Sequence, residues 1–194
     1  VIRDQIGDLT FEISPASFYQ VNSVQTERLY DEVREYCGFS AKADAGDSSA
    51  MPEALQENGE KPVILDLYCG VGTIGLYCAD EAEQIIGIEI VKDAVLDANR
   101  NAVVNGIVNA RYICGKAEEI LPFYAGQKKD AGRTANLKKD PSVKTDPNLA
   151  EAISRASIAI LDPPRAGCRP ELLEAVIDLG VERIVYVSCD PATL

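Results

Sequence analysis

No histidine occurs among the 194 residues. The commonest general base and metal ligand is therefore missing, so proton transfer falls to carboxylates, thiols, lysine, tyrosine or water, and serine-hydrolase chemistry is disfavoured. No Cys-x-x-Cys pair occurs either: Cys37, Cys69, Cys78, Cys114, Cys168 and Cys189 are widely and irregularly spaced. Neither a zinc site nor a disulfide framework is signalled, so no metal is expected and the thiols are read as reduced. No stretch approaches the roughly 18 consecutive apolar residues of a membrane span, and no basic-then-apolar leader opens the chain. The expectation is a cytoplasmic protein with no membrane partner. Basic residues are scarce as well: 19 Lys and Arg against 31 Asp and Glu give a formal net charge of −12. That balance works against binding phosphate backbones, which are held largely by Lys and Arg. One basic cluster exists, with Lys128, Lys129, Arg133, Lys138, Lys139 and Lys144 against Asp130, Asp140 and Asp146. It reads as a solvated loop.

What is present suits one α/β domain: 46% of residues are hydrophobic, enough for a real core at this length. Residues 1–38 are expected to form a hairpin turning at Gly7-Asp8, then a helix capped by Asn22 with Val24, Leu29, Val33 and Tyr36 at near-helical spacing. Residues 39–61, poor in large apolar side chains, read as a connector. From 62 to 194 the pattern is regular. Apolar runs at Pro62–Leu67, Gln84–Ile90, Ala110–Cys114, Ser157–Leu161 and Arg183–Val187 read as buried strands, and helical periodicity follows the first, second and fourth. This predicts a doubly wound, parallel sheet with an insertion at about 125–155, either a loop or a small excursion. The chain opens on Val1 and stops at Leu194 without the helix that an α/β unit would place next, so an excised domain, truncated at its C-terminus, is expected.

The chemistry concentrates in four strand ends. Gly70, Gly72 and Gly75 stand in G-x-G-x-x-G spacing between the first core strand and its helix, a loop over which a backbone can approach a nucleotide. Glu89 ends the next strand, where a carboxylate can accept both ribose hydroxyls. This pair indicates an adenosine cofactor, and it fits a nicotinamide dinucleotide as well as S-adenosylmethionine. Asp162-Pro163-Pro164-Arg165-Ala166-Gly167 follows the fourth strand, its prolines stiffening a turn at the crevice. Ser188-Cys189-Asp190-Pro191-Ala192-Thr193-Leu194 follows the fifth, which puts Cys189 at the same carboxyl edge.

Together with Phe18-Tyr19-Gln20-Val21-Asn22, these motifs in this order resemble the RNA (uracil-5-)-methyltransferase family, bacterial enzymes acting on ribosomal or transfer RNA. The resemblance implies a Rossmann-like S-adenosylmethionine-dependent methyltransferase fold. It implies that Gln20, Tyr68, Glu89 and Asp162 contact S-adenosylmethionine, with Gly70 and Gly72 in the binding loop, and that Cys189 is the catalytic nucleophile. RNA is the implied partner, ribosomal rather than transfer RNA. The chain departs from the family at Asp190, where asparagine is usual, and a carboxylate there raises the thiol pKa unless a cation such as Arg165 pairs with it. The family also carries a catalytic glutamate beyond the position of Leu194 and commonly an N-terminal oligonucleotide-binding barrel. An RNA cytosine-5 methyltransferase is the nearest alternative, but it places Pro-Cys after the fourth-strand aspartate where Arg165 stands here, leaving Cys168 as a second candidate nucleophile. An NAD-dependent oxidoreductase is the alternative of a different class.

Overall fold

The computed structural model describes residues 2–14, 23–39, 60–130 and 146–188, without the side chains of Ser23 and 127–130. An antiparallel hairpin of β1 (Ile2–Ile6) and β2 (Leu9–Ile13) turns at Gly7, whose φ of 54° suits glycine. Helix α1 (Ser23–Cys37) follows. The core then alternates: β3 (Val63–Leu67), α2 (Thr73–Tyr77), β4 (Gln84–Glu89), α3 (Lys92–Val104), β5 (Ala110–Cys114), α4 (Ala117–Asp130), α5 (Pro147–Ser154), β6 (Ala156–Leu161), α6 (Pro170–Asp178) and β7 (Arg183–Tyr186).

The five core strands are all parallel in the order β5-β4-β3-β6-β7. The chain begins in the centre at β3, moves outward to β5 and returns to the other side of β3 at β6. That reversal leaves a crevice outside the carboxyl ends of β3 and β6, where ligands bind in open α/β sheets. Because side chains alternate along a strand, the sheet buries two apolar faces. Ile64, Ile85, Ile158 and Ile160 meet Phe11 of the hairpin, Tyr30 and Val33 of α1, Tyr77 of α2 and Ala98 of α3. Leu65, Leu67, Ile86, Ile88 and Leu161 meet Leu121 of α4, Ile153 of α5 and Leu172 of α6 on the opposite side. The architecture is a three-layer α/β/α sandwich.

The hairpin is fastened to this sandwich by polar groups. Its outer edge, the N–H groups of Thr10, Glu12 and Ser14, donates to Asn105 Oδ1 at 2.8 Å, Asn101 Oδ1 at 2.7 Å and Asp97 Oδ2 at 2.9 Å. Asn105 Nδ2 returns a bond to the Thr10 carbonyl at 2.7 Å. The match is geometric: four helical residues rise about 6 Å, close to the roughly 6.6 Å between alternate strand residues. Side chains four apart on α3 thus stand in for a neighbouring strand.

One expectation needs correction. The apolar stripe assigned to α1 is rotated: Val24 (63% exposed) and Tyr36 (68%) face outward with Leu29, whereas Thr26, Tyr30, Val33 and Cys37 are buried. Arg34 turns inward with them, 2% exposed, donating to the Tyr77 carbonyl at 2.9 Å and to Asp80 at 2.7 Å. A buried guanidinium needs such partners, so its inward position goes with the rotated face of the helix. Within 125–155, expected as a loop or a small excursion, the described ends are helical. Helix α4 follows the third core strand and runs five residues past Ala125, and α5 lies near its far end, capped by Asp146, which accepts from Asn148 N and Leu149 N. Ala117, Ile120, Leu121, Tyr124 and Ala125 bury one face of α4, but Pro122 interrupts the pattern as a sequence. The Asn22 cap, the basic residues Arg133, Lys138, Lys139 and Lys144, and connector residues 40–59 lie outside the described residues.

Candidate functional site

The crevice holds a cavity of about 850 Å³ lined from five directions. Its floor is the loop between β3 and α2. Tyr68 has a φ of 63°, the one positive value among the described non-glycine residues, and Gly70 and Gly72 follow at 53° and 82°. Tyr68 N and Cys69 N both donate to the Ile88 carbonyl, at 2.9 and 3.2 Å, while Gly72 N closes a tight turn onto Cys69 O at 2.8 Å. A Cβ at Gly72 would sit 2.5 Å from Tyr112 Oη, so only glycine fits there. A Cβ at Gly70 would meet nothing within 4 Å; that side of the loop is open.

Glu89 grips the loop from β4. Its Oε2 accepts from Gly70 N at 3.1 Å and its Oε1 from Val91 N at 2.8 Å, which leaves a further lone pair on each oxygen. Asp66, 1% exposed on β3, accepts from Gly75 N through Oδ2 at 3.0 Å. Among the described residues nothing donates to Asp66 Oδ1. Burial, reinforced by Asp162 and Glu89 and opposed by the Gly75 N–H, pushes the Asp66 carboxyl up to about 7. Asp162, at the end of β6, is likewise pushed up to about 6 by burial. Tyr30 from α1 closes one side, its hydroxyl 2.7 Å from Thr73 Oγ1. Tyr68 donates to Glu118 Oε1 at 2.6 Å, and burial, reinforced by that bond, raises the phenol above its ordinary range.

Of the residues singled out in the sequence, Tyr68, Gly70, Glu89 and Asp162 all line this one cavity, and Arg165 joins them from the Pro-Pro turn. Gly72 lies beneath, shaping the loop rather than forming the wall. Gln20 and Cys189 lie outside the described residues, as does Asp190. Cys168 does not line the cavity; it packs against the sheet face that carries α4 to α6. Sequence reasoning missed Tyr30, Thr73, Lys116, Glu118 and Arg169 as lining residues: Tyr30 arrives from the middle of α1, Lys116, Glu118 and Arg169 from helix starts and loops with no motif of their own, and Thr73 stands inside the glycine motif but carries no signal beyond it.

The wall has an unequal charge. Asp66, Glu89, Glu118, Glu119 and Asp162 face Lys116, Arg165 and Arg169, and Lys116 is already bonded to Glu119 at 2.8 Å. Such a cavity favours a ligand with hydroxyl donors and positive charge over one carrying a pyrophosphate. An orphaned carboxylate oxygen, a carboxylate at the second strand end and an open glycine face give the crevice acceptors and room for a ligand rich in hydroxyl and amine donors.

Comparison with known proteins agrees with this geometry. A solved tRNA (uracil-54, C5)-methyltransferase of Pyrococcus abyssi, in complex with S-adenosyl-L-homocysteine, superposes with a TM-score of 0.63 at 28% identity, covering 99% of this chain and 35% of that one. A SAM-dependent methyltransferase of Agrobacterium tumefaciens superposes at 0.51 with 14% identity, covering 100% of this chain and 50% of that one, a likeness of fold alone. The fold is therefore the Rossmann-like fold of S-adenosylmethionine-dependent methyltransferases.

Residues 51–194 match the model of the tRNA (uracil-5-)-methyltransferase family. An uncharacterized RNA methyltransferase of Caldanaerobacter subterraneus subsp. tengcongensis is 42% identical over 194 residues, 100% of this chain and 33% of the relative. Another, from Oceanobacillus iheyensis, is 40% identical over 193 residues, 100% of this chain and 32% of the relative. The chain belongs to the tRNA (uracil-5-)-methyltransferase family. It spans about a third of the length of the curated relatives it matches.

Proposed function

We propose that this chain binds S-adenosylmethionine in the β3–β6 crevice and, within its full-length protein, methylates carbon 5 of a uracil in RNA. The observation that carries the reading is Glu89: it braces the glycine loop with one lone pair on each oxygen and keeps the others for the two ribose hydroxyls. Tyr68, Gly70 and Asp162 complete the cavity wall, and the excess of carboxylates speaks against the pyrophosphate of a nicotinamide dinucleotide. Gln20, outside the described residues, is assigned to the same cofactor on the family resemblance alone.

When bound, the cofactor supplies a methyl group on an electrophilic sulfonium. The chain's own part is to activate the base. Uracil carbon 5 is a poor nucleophile, and we assign Cys189 to add its thiolate at carbon 6, forming an S–C6 bond and moving the ring's electron pair toward carbon 5. Once carbon 5 carries the methyl group, loss of its proton to a base and departure of the Cys189 thiolate restore the ring. Access to both faces of the ring requires an unstacked base, which costs a few kcal/mol in a duplex and favours loops or single strands.

Cys189→Ala in the full-length protein abolishes the covalent adduct with RNA containing 5-fluorouracil; an adduct that survives the substitution contradicts the assignment. For the RNA we propose a ribosomal target, acting in the cytoplasm. The Pyrococcus abyssi relative is named for transfer RNA, which makes that the second reading. Methylation of a ribosomal transcript and not a transfer RNA transcript supports the first, and the reverse pattern the second. Among the described residues no helix is long and apolar enough to cross a membrane.

A further inference from the structure

Asn101 of α3 is fully buried and uses both ends of its amide on different parts of the molecule. Its Oδ1 accepts from Glu12 N on the hairpin at 2.7 Å, and its Nδ2 donates to the Val71 carbonyl in the glycine loop at 3.1 Å. Val71 is itself 2% exposed and lies between Gly70 and Gly72. The amide therefore stands between β2 and the floor of the cavity. Its neighbours on the helix, Asp97 and Asn105, hold the hairpin through Ser14 and Thr10. Asn105 bonds to Thr10 and to the Asn101 carbonyl, whereas Asn101 bonds to the hairpin and the loop together.

We propose that Asn101 is a positioning residue that couples docking of the β1–β2 hairpin to the shape of the cofactor loop, so that a ligand in the crevice and a docked hairpin stabilise one another. The inference rests on the crevice being the S-adenosylmethionine site, and it adds a residue that touches no ligand. The physical reason is that a planar amide has one orientation: with Oδ1 held by Glu12 N, Nδ2 points at Val71 O. If the hairpin lifts, the amide is free to turn, and a buried carbonyl in a loop of two positive-φ glycines loses its donor. Coupling of this kind is reciprocal, because whatever docking adds to ligand affinity the ligand adds to docking.

The test is hydrogen–deuterium exchange of the intact protein with and without S-adenosylhomocysteine, alongside calorimetric titration. In the wild type the ligand slows exchange of the Thr10 and Glu12 amides by about tenfold, the order of one buried hydrogen bond. Asn105→Ala, which loosens the hairpin and leaves Asn101 and Val71 in place, weakens the ligand severalfold. Asn101→Asp keeps an acceptor for Glu12 N and removes the donor to Val71 O, so it weakens the ligand by about tenfold and abolishes the ligand's effect on hairpin exchange. Hairpin amides indifferent to ligand in the wild type overturn the coupling, and that measurement needs no variant to fold. So does an Asn105→Ala protein with a loosened hairpin and wild-type affinity. A wild-type protein that takes up no S-adenosylhomocysteine overturns the cofactor reading itself, and this inference with it, before any variant is compared.

Discussion

On one side of the sheet, buried and half-buried polar side chains bond directly to backbone: buried Asn101 to the hairpin and to Val71, buried Arg34 to Tyr77, half-buried Asn105 to the hairpin, and half-buried Asn109 to the carbonyls of Ala79 and Ala82 at 2.9 Å each. On the other side, α4, α5 and α6 meet the strands through Leu65, Leu67, Ile86, Leu121, Ile153 and Leu172. Apolar burial is the stronger but less directional force; buried hydrogen bonds add less net energy and specify geometry. The glycine loop is fastened to the polar side through Val71 and to α4 through Tyr68 and Glu118, while the aliphatic side supplies the stability that holds the sheet together.

Substitutions can separate the two contributions. The largest effect belongs to the aliphatic side: Leu121→Ala removes a fully buried side chain and costs about 2–5 kcal/mol in denaturant unfolding, whereas Leu121→Met costs less than about 1.5 kcal/mol. Next is Arg34→Met, which leaves the Tyr77 carbonyl without its guanidinium and frees Asp80, itself about half exposed, to return to water. A loss of about 1–3 kcal/mol is expected. A loss as small as that of Leu121→Met would mean that geometry on this side is set by packing after all.

Asp66 offers a pH test of the same side. Its carboxyl, ordinarily near 3.8 and raised to about 7 in the fold, holds its proton longer folded than unfolded. It therefore costs nothing below pH 4, costs progressively more as pH rises to about 7, and costs a constant amount above. Asp66→Asn, which keeps the acceptor for Gly75 N, should stabilise the ligand-free protein by about 1–2 kcal/mol at pH 8 and by nothing near pH 4. Thermal melts across that range check it. The smallest effect is expected at α5, where Arg111 meets Asp146 at 2.6 Å and holds that carboxyl below its usual range. Asp146→Asn keeps an Ncap acceptor and loses the ion pair, so melting falls slightly at low salt and not at all at about 1 M salt.

These differences also explain what could be read from the sequence. The strands, the glycine loop and Glu89 were legible because their signals are local: runs of Ile, Leu and Val, glycines at fixed spacing, a carboxylate at a strand end. Helix α4 was not, because Pro122 breaks its pattern although Ala117, Ile120, Leu121 and Tyr124 repeat at helical intervals. The face of α1 was misjudged because Arg34 reads as solvent-facing until its buried partners are known. Asp97, Asn101 and Asn105 stand four apart and look like a solvated stripe; only the hairpin, about ninety residues earlier, gives them their role. Tyr30 and Thr73 meet across the cavity from separate elements, and no spacing announces that bond.

The central claim is that the crevice is an S-adenosylmethionine site braced by Glu89. Calorimetric titration of the intact protein with S-adenosylmethionine and, separately, NADH tests it most directly, with Glu89→Ala as the control. Saturable binding of S-adenosylmethionine alone is predicted, weakened about a hundredfold in Glu89→Ala by the loss of charge-assisted hydrogen bonds to the ribose. Binding of NADH instead, or S-adenosylmethionine binding untouched by the substitution, would contradict it.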